Sequence, residues 1–285
     1  MVKNETYDVM RDIVFKCIFG KKGNEKITKK FLENILGEDL ESVTVDWKLE
    51  LNRDAIDDKL MVTDIIAKDN EFRKYIIEMQ RKSGKYLLRR FLGYTDKVYI
   101  ADIKVGEKYE VLKKTTLIVI MEQTMKGLPK HDEYHTIISL KTDRNERVLE
   151  DTEEIHIIEL NKYKKRADKT KIEPWLEFII NPNGKEVKEM ARTMKELQEA
   201  VDQYLLLQAD DDVRQLANAQ IFASMDRASE LAEEREEAKI EGQTKEKRKM
   251  AEKLLKRGTD INTIMDLTEL SEKEIEKIKK KLIRL

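Results

Sequence analysis

Two carboxylates, Asp64 in KLMVTDIIAKD and Glu78 in KYIIEMQR, interrupt rows that are otherwise apolar. Strand side chains alternate between faces. Leu60, Val62, Asp64 and Ile66 therefore share one side of the first segment, and Ile76, Glu78 and Gln80 share one side of the second. A tight connection around Asp69, Asn70 and Glu71 predicts a hairpin, and the register that sets Lys68 opposite Lys74 sets Asp64 opposite Glu78. Like charges opposed on a half-buried sheet face destabilise one another unless a cation lies between them. The pair predicts a divalent-metal site. Magnesium takes a few carboxylates and keeps several waters, so two or three acids suffice. The backbone carbonyl of Met79 can add an oxygen, and Gln80 can orient a water but cannot deprotonate it. A hard cation held this way draws charge from phosphoryl oxygens and lowers the pKa of an attacking water, as phosphodiester cleavage requires.

The segments that must position these residues follow from hydrophobic period. DVMRDIVFKCIFG carries Val9, Ile13, Phe15, Ile18 and Phe19 near helical spacing up to Gly20, and NEKITKKFLENILG predicts a second amphipathic helix with Gly37 as its stop. SVTVDWKLEL alternates as a half-buried strand, and the Asp64 and Glu78 strands follow. From Gly84 to Ile103 the helical period returns, with Tyr86, Arg90, Tyr94 and Lys97 along one side. TTLIVIMEQ suits a strand covered on both faces, and EYHTIISLKT and EEIHIIELNKY extend the sheet. The order ααβββαβββ predicts an α/β domain over residues 1–182, closed by the break at NPNG. Residues 183–245 read as a charged helical scaffold or linker, with apolar positions at Met190, Met194, Leu197, Val201 and Leu205. Residues 246–285 predict a small trihelical module shaped like a helix-turn-helix, with Gly258 as a stop and a capping box from Ser271 to Glu274.

Composition excludes several classes. The 56 basic and 57 acidic residues nearly cancel, so attraction to a polyanion must come from a local patch. No run approaches the roughly 18 apolar residues of a membrane span, and MVKNETYDVMRD has no signal-peptide core, so a cytoplasmic protein with no membrane partner is expected. The single cysteine, Cys17, excludes an intramolecular disulfide and any multi-cysteine zinc site, and its apolar setting predicts packing. HDEYH spaces His131 and His135 like a zinc-protease helix. Asp132 stands where that motif needs Glu, however, and the segment leads into a strand, so no zinc site is expected. His156 reads as structural.

At the paired acids the chain resembles the PD-(D/E)XK nucleases: an acid at the end of one strand, then a Glu-x-(polar) pair on the next. The wider text is similar to one bacterial branch, the recombination-promoting nuclease and transposase-like family. The matching pieces are DIVFKCIFG, Lys59-x4-Asp64, YIIEMQ, Arg90-x3-Tyr94, GEKYEVLKKTTLIVIM, IIELNKY and the terminal AEKLLKRGTDINTIMDLTELSEKEIEKI. The resemblance implies a restriction-endonuclease-like mixed sheet flanked by helices and followed by an α-helical C-terminal region. It also implies Asp64 and Glu78 as metal ligands and Asp12 as a third acid. Many such nucleases carry lysine where this chain has Gln80, and Lys59 is one substitute for that ammonium. Arg90, one turn before Tyr94, would hold a phosphate, with Arg81, Lys82, Lys85 and Arg89 as a basic rim.

The resulting expectation is a magnesium-dependent DNA endonuclease, with manganese as an alternative ion. It would leave a 5′-phosphate and a 3′-hydroxyl and serve recombination, genome mobility or defence. Its partners would be DNA and a second copy of itself, since paired cuts suit a homodimer. No small-molecule organic cofactor is expected. The alternative is a catalytically weak or inactive nuclease-fold protein that binds nucleic acid or protein, a reading that Gln80 favours. The terminal module would contact DNA, or else pack against or bind a partner.

Overall fold

The computed structural model describes residues 8–46, 65–129, 131–142, 152–164 and 170–283. Six strands form one mixed sheet: β1 (Val43–Asp46), β2 (Ile65–Asp69), β3 (Lys74–Gln80), β4 (Thr115–Met121), β5 (His135–Ser139) and β6 (Glu153–Glu159), in the spatial order β1-β2-β3-β4-β6-β5. The three central strands, β3, β4 and β6, are parallel. The outer pairings are antiparallel. A parallel neighbour requires a crossover, and α3 (Leu87–Ile100) supplies it between β3 and β4. β4 is buried at all seven positions, as expected of a strand covered on both faces.

Helices cover both faces of the sheet. Below it lie α1 (Asp12–Phe15), α2 (Glu25–Leu36), α4 (Glu173–Ile180), α5 (Lys185–Ala191) and α6 (Lys195–Ala209), packed on Ile65, Ala67, Tyr75, Ile77, Ile118, Ile120 and Ile158. α3 covers the opposite face through Leu87, Phe91 and Val98, against Ile76, Leu117, Val119 and Ile157. α1 runs directly into a π-helical turn, Lys16–Gly20, so the predicted first helix is real but changes winding midway. The lower core centres on aromatic rings: Trp175 lies 5.6 Å from Phe31 and 5.8 Å from Phe19, centroid to centroid.

The core continues past residue 182. Val187, Ala191, Leu197, Ala200, Val201, Tyr204 and Leu207 belong to the same apolar cluster as Trp175 and Phe178. The NPNG break is only a turn between helices, and the charges of α5 and α6 lie on their outward sides, where Leu205 is also exposed. Residues Met1–Asn218 form one compact unit and Ala219–Leu285 a second.

In the second unit, the end of α7 (Asp211–Lys256) packs with α8 (Ile261–Thr268) and α9 (Glu272–Ile283) around Ala251, Ile264, Leu270 and Ile275. Gly258, at φ 79°, adopts the left-handed conformation that ends α7. Asp260 caps α8 by accepting from the Thr263 N–H at 3.0 Å. Glu274 reaches back to accept from the Ser271 N–H at 3.1 Å and from its hydroxyl at 2.7 Å, so the glutamate half of the predicted capping box forms. No described helix is long and apolar enough to cross a membrane.

Because Leu197 is fully buried, Leu197→Ala is expected to lower stability by about 2–5 kcal/mol, read as a shift of the urea midpoint. A change within about 0.5 kcal/mol would mean that α6 lies outside the core.

Candidate active site

Alternation along β3 divides its side chains between the two cores. Tyr75, Ile77 and Met79 face the lower core, while Ile76, Glu78 and Gln80 face α3. The β2–β3 hairpin has the predicted register, Lys68 opposite Lys74 through Ile65 opposite Ile77. Asp64 and Lys59 lie outside the described residues. The turn between the strands is held by Asp69, whose Oδ1 accepts from the N–H groups of Glu71 and Arg73, both at 2.9 Å.

Arg90 projects from α3 onto the site. Its Nη2 donates to Glu78 Oε1 at 2.9 Å and to Gln80 Oε1 at 2.8 Å, and Gln80 Nε2 donates to the Lys82 carbonyl at 2.8 Å. One guanidinium thus bridges both polar side chains of β3. The same strand fixes the helix that carries this arginine. Lys74, 2% exposed, donates its ammonium to the Val98 carbonyl at 2.7 Å, to the Tyr99 carbonyl at 3.3 Å and to Asp102 Oδ2 at 2.8 Å, closing the C-terminal end of α3.

Burial raises the pKa of Glu78 above the ordinary carboxylate value; Arg90 opposes this, Asp12 adds to it and Lys16 opposes it. Asp12 lies in the first turn of α1 and pairs with Lys16, its Oδ2 accepting from Nζ at 3.0 Å. Tyr94 is half-buried against the α3-side core, and the side chain of Met79 lies in the opposite core.

The expected basic rim is only partly basic. Arg81 is neutralised by Asp8 at 2.9 Å and Glu122 at 3.1 Å, so it braces the chain next to β3. Lys82, Lys85 and Arg89 are exposed, and the latter two lie over the Tyr86 ring. Sequence reasoning missed Lys16 and Glu122. The four-residue spacing of Asp12 and Lys16 was a usable signal for the first. Glu122 followed an apolar strand with nothing local to name its partner. His131 precedes β5 and His135 opens it, so the two do not share a helix. His135 instead meets His156 Nδ1 at 2.9 Å, and burial and the neighbouring imidazole push its pKa down to about 4.

Among the described residues no three His, Cys, Asp or Glu side chains group as a metal-ligand set. Glu78 and Asp12 supply only oxygen donors, and burial leaves Glu78 short of compensation for its charge. That chemistry fits a hard divalent cation completed by a further carboxylate.

Residues 9–234 match the family described as PD-(D/E)XK nuclease family transposase. The chain belongs to this family. Residues 244–280 match the Rpn/YhgA-like nuclease family, C-terminal HTH domain, in agreement with the trihelical packing of α7, α8 and α9. No curated protein and no solved structure matches the chain. Membership gives the mixed sheet its class, restriction-endonuclease-like.

A carboxyl group whose folded pKa is raised favours the fold when protonated, and that contribution is lost as pH rises through the raised value. Above that raised value the ionised Glu78 therefore opposes folding. Glu78→Gln is expected to have a Tm at or above that of the unsubstituted protein at pH 7, with the advantage shrinking on acidification; calorimetry at the two pH values checks both signs.

Proposed function

We propose that the protein is a metal-dependent DNA endonuclease that acts in recombination, genome mobility or defence. The observation that carries this reading is the half-buried Glu78 on β3, kept beside Arg90 and Gln80 although burial disfavours its charge. Burial that outweighs its pairing is characteristic of functional carboxylates. In this reading Asp64 and Glu78 are the principal ligands, with Asp12 and the Met79 carbonyl as further oxygens. Magnesium or manganese held there would supply charge neutralisation at the scissile phosphate and a water acidified for attack.

The chain's own residues do the positioning. Gln80 orients the attacking water through its amide, and Arg90 takes the scissile or adjacent phosphate on its fork of donors. The 2.8 Å contact between Arg90 and Gln80 supports a second role, in which the arginine supplies the cation that the broad PD-(D/E)XK fold commonly places on a lysine at the Gln80 position. Lys59 and Tyr94 would line the path of the strand. Cleavage would leave a 5′-phosphate and a 3′-hydroxyl, and a homodimer would align two sites for a double-strand break. The helix-turn-helix module would hold DNA through Lys273, Lys277 and Lys280, which recur at helical spacing along the exposed side of α9. Glutamine in place of lysine also favours a second reading, a nuclease fold retained for binding.

Plasmid nicking separates the two. The unsubstituted protein should nick in magnesium and stop on chelation, and Asp64→Ala and Glu78→Ala should each lose about two orders of magnitude or more in rate. Arg90→Ala should lose more activity than Arg90→Lys. Equal residual nicking in all the proteins would defeat the catalytic reading and leave the binding one.

A further inference from the structure

The apolar run DIVFKCIFG buries a lysine. Lys16 is 4% exposed, between the fully buried Phe15 and the half-buried Cys17. A lysine is taken this far from water only when an opposite charge or acceptor receives it. Its Nζ meets both oxygens of Asp12, at 2.8 Å and 3.0 Å. The Asp12 side chain is 40% exposed, so the ion pair lies at the border of the core with its carboxylate towards solvent.

The backbone that carries Lys16 is fixed by the segment that follows it. Lys16–Gly20 is π-helical, a rare winding that recurs at functional sites. The last carbonyls of such a turn have no partner further along the helix. Buried side chains supply one: Asn24 Nδ2 donates to the Cys17 carbonyl at 3.2 Å and the Ile18 carbonyl at 2.9 Å, and the Thr28 hydroxyl donates to the Phe19 carbonyl. The turn also lies against β2.

Two cations thus reach Glu78 from different layers. The π turn packs in the lower core through Ile18 and Phe19, whereas α3 covers the opposite face. Arg90 touches Glu78 at 2.9 Å, and Lys16 acts on the same carboxylate through space. They differ in freedom. The Arg90 side chain is 58% exposed and can follow a substrate, while that of Lys16 is held below the surface. A charge that must answer one developing in a reaction acts best when it is preorganised and shielded from water.

We infer that Lys16 is a catalytic residue, whose fixed ammonium supplies at the scissile phosphate the positive charge that Gln80 lacks. The inference rests on the nuclease reading and deepens it. Lys16 moves no proton. As the oxygen of water bonds to phosphorus and the bond from phosphorus to the 3′-oxygen breaks, the ammonium offsets the charge on the non-bridging oxygens. The attacking water gives its proton to solvent, and the departing 3′-oxygen takes one from solvent. Arg90 is the rival bearer of this charge, and the test separates the two.

Two variants are compared with the unsubstituted protein. Lys16→Met removes the ammonium and keeps an apolar stem; Lys16→Gln keeps a donor for Asp12 without the charge. Plasmid nicking at saturating magnesium is expected to fall about a hundredfold in both. Manganese, titrated by its paramagnetic resonance without DNA, is expected to bind both at least as tightly as it binds the unsubstituted protein, because a positive charge beside Asp12 and Glu78 opposes a cation. A lysine that only props the two acids gives the other sign, weaker manganese binding together with slower nicking, and that result would overturn the inference. Full nicking by Lys16→Gln would overturn it too, since a hydrogen bond would then suffice. Nicking that survives both substitutions at Lys16 and is lost in Arg90→Met would assign the charge to Arg90. Should Lys16→Met not fold, Lys16→Gln carries both readouts. An unsubstituted protein that binds manganese and never nicks overturns the nuclease reading itself, whereas the preceding outcomes overturn the role of Lys16 alone.

Discussion

The burial of the parallel block β3-β4-β6 on both faces is the constraint from which the other features follow. Backbone groups shut away from water on both sides must pair within the sheet, which aligns the three strands residue for residue. Most side chains there are apolar, and several of the polar ones are held by partners. Lys74 closes α3, Glu159 anchors the loop beyond β4, and His156, 2% exposed, joins Glu154 at 2.7 Å and His135 at 2.9 Å. Glu78 and Gln80 stand apart because their main partner, Arg90, is more than half exposed and can exchange it for another.

That difference separates holding residues from working ones. Lys74 and Glu159 sit in networks whose removal would leave buried charge, so they fix geometry. Glu78 is held against its own solvation, and the same burial that disfavours its charge prepares an oxygen donor for a cation. Arg90 moderates this cost, and its position follows from the clamp at the far end of α3: a lysine at the start of β3 sets the helix whose arginine meets the glutamate four residues further along that strand.

The helix-turn-helix unit is stabilised differently. Its core is small, four fully or nearly buried residues, and it relies on local devices: the Gly258 stop, the Asp260 cap and the Ser271–Glu274 box. Its exposed surface mixes lysine with glutamate, so any grip on DNA depends on how α9 spaces its lysines and not on net charge.

Periodicity and capping are local properties, and the sequence alone determined what they encode: the strands and their faces, the buried β4, α3, the Gly258 stop and the start of the last helix at Ser271. The resemblance carried by YIIEMQ and its neighbours located the nuclease domain. Through-space pairing lay beyond local pattern, because a charged side chain reads alike whether it meets solvent or an opposite charge distant in sequence. Only the tertiary structure decided that Arg81 is consumed by Asp8 and Glu122, that Arg90 bridges Glu78 and Gln80, and that Lys16 joins Asp12 beside them. It also decided that α5 and α6 belong to the first core, since NPNG specifies a turn but not what the next helix packs against. Strand alternation set Glu78 on its face; the packing of α3 over that face determined how far the carboxylate is removed from water and which cation answers it.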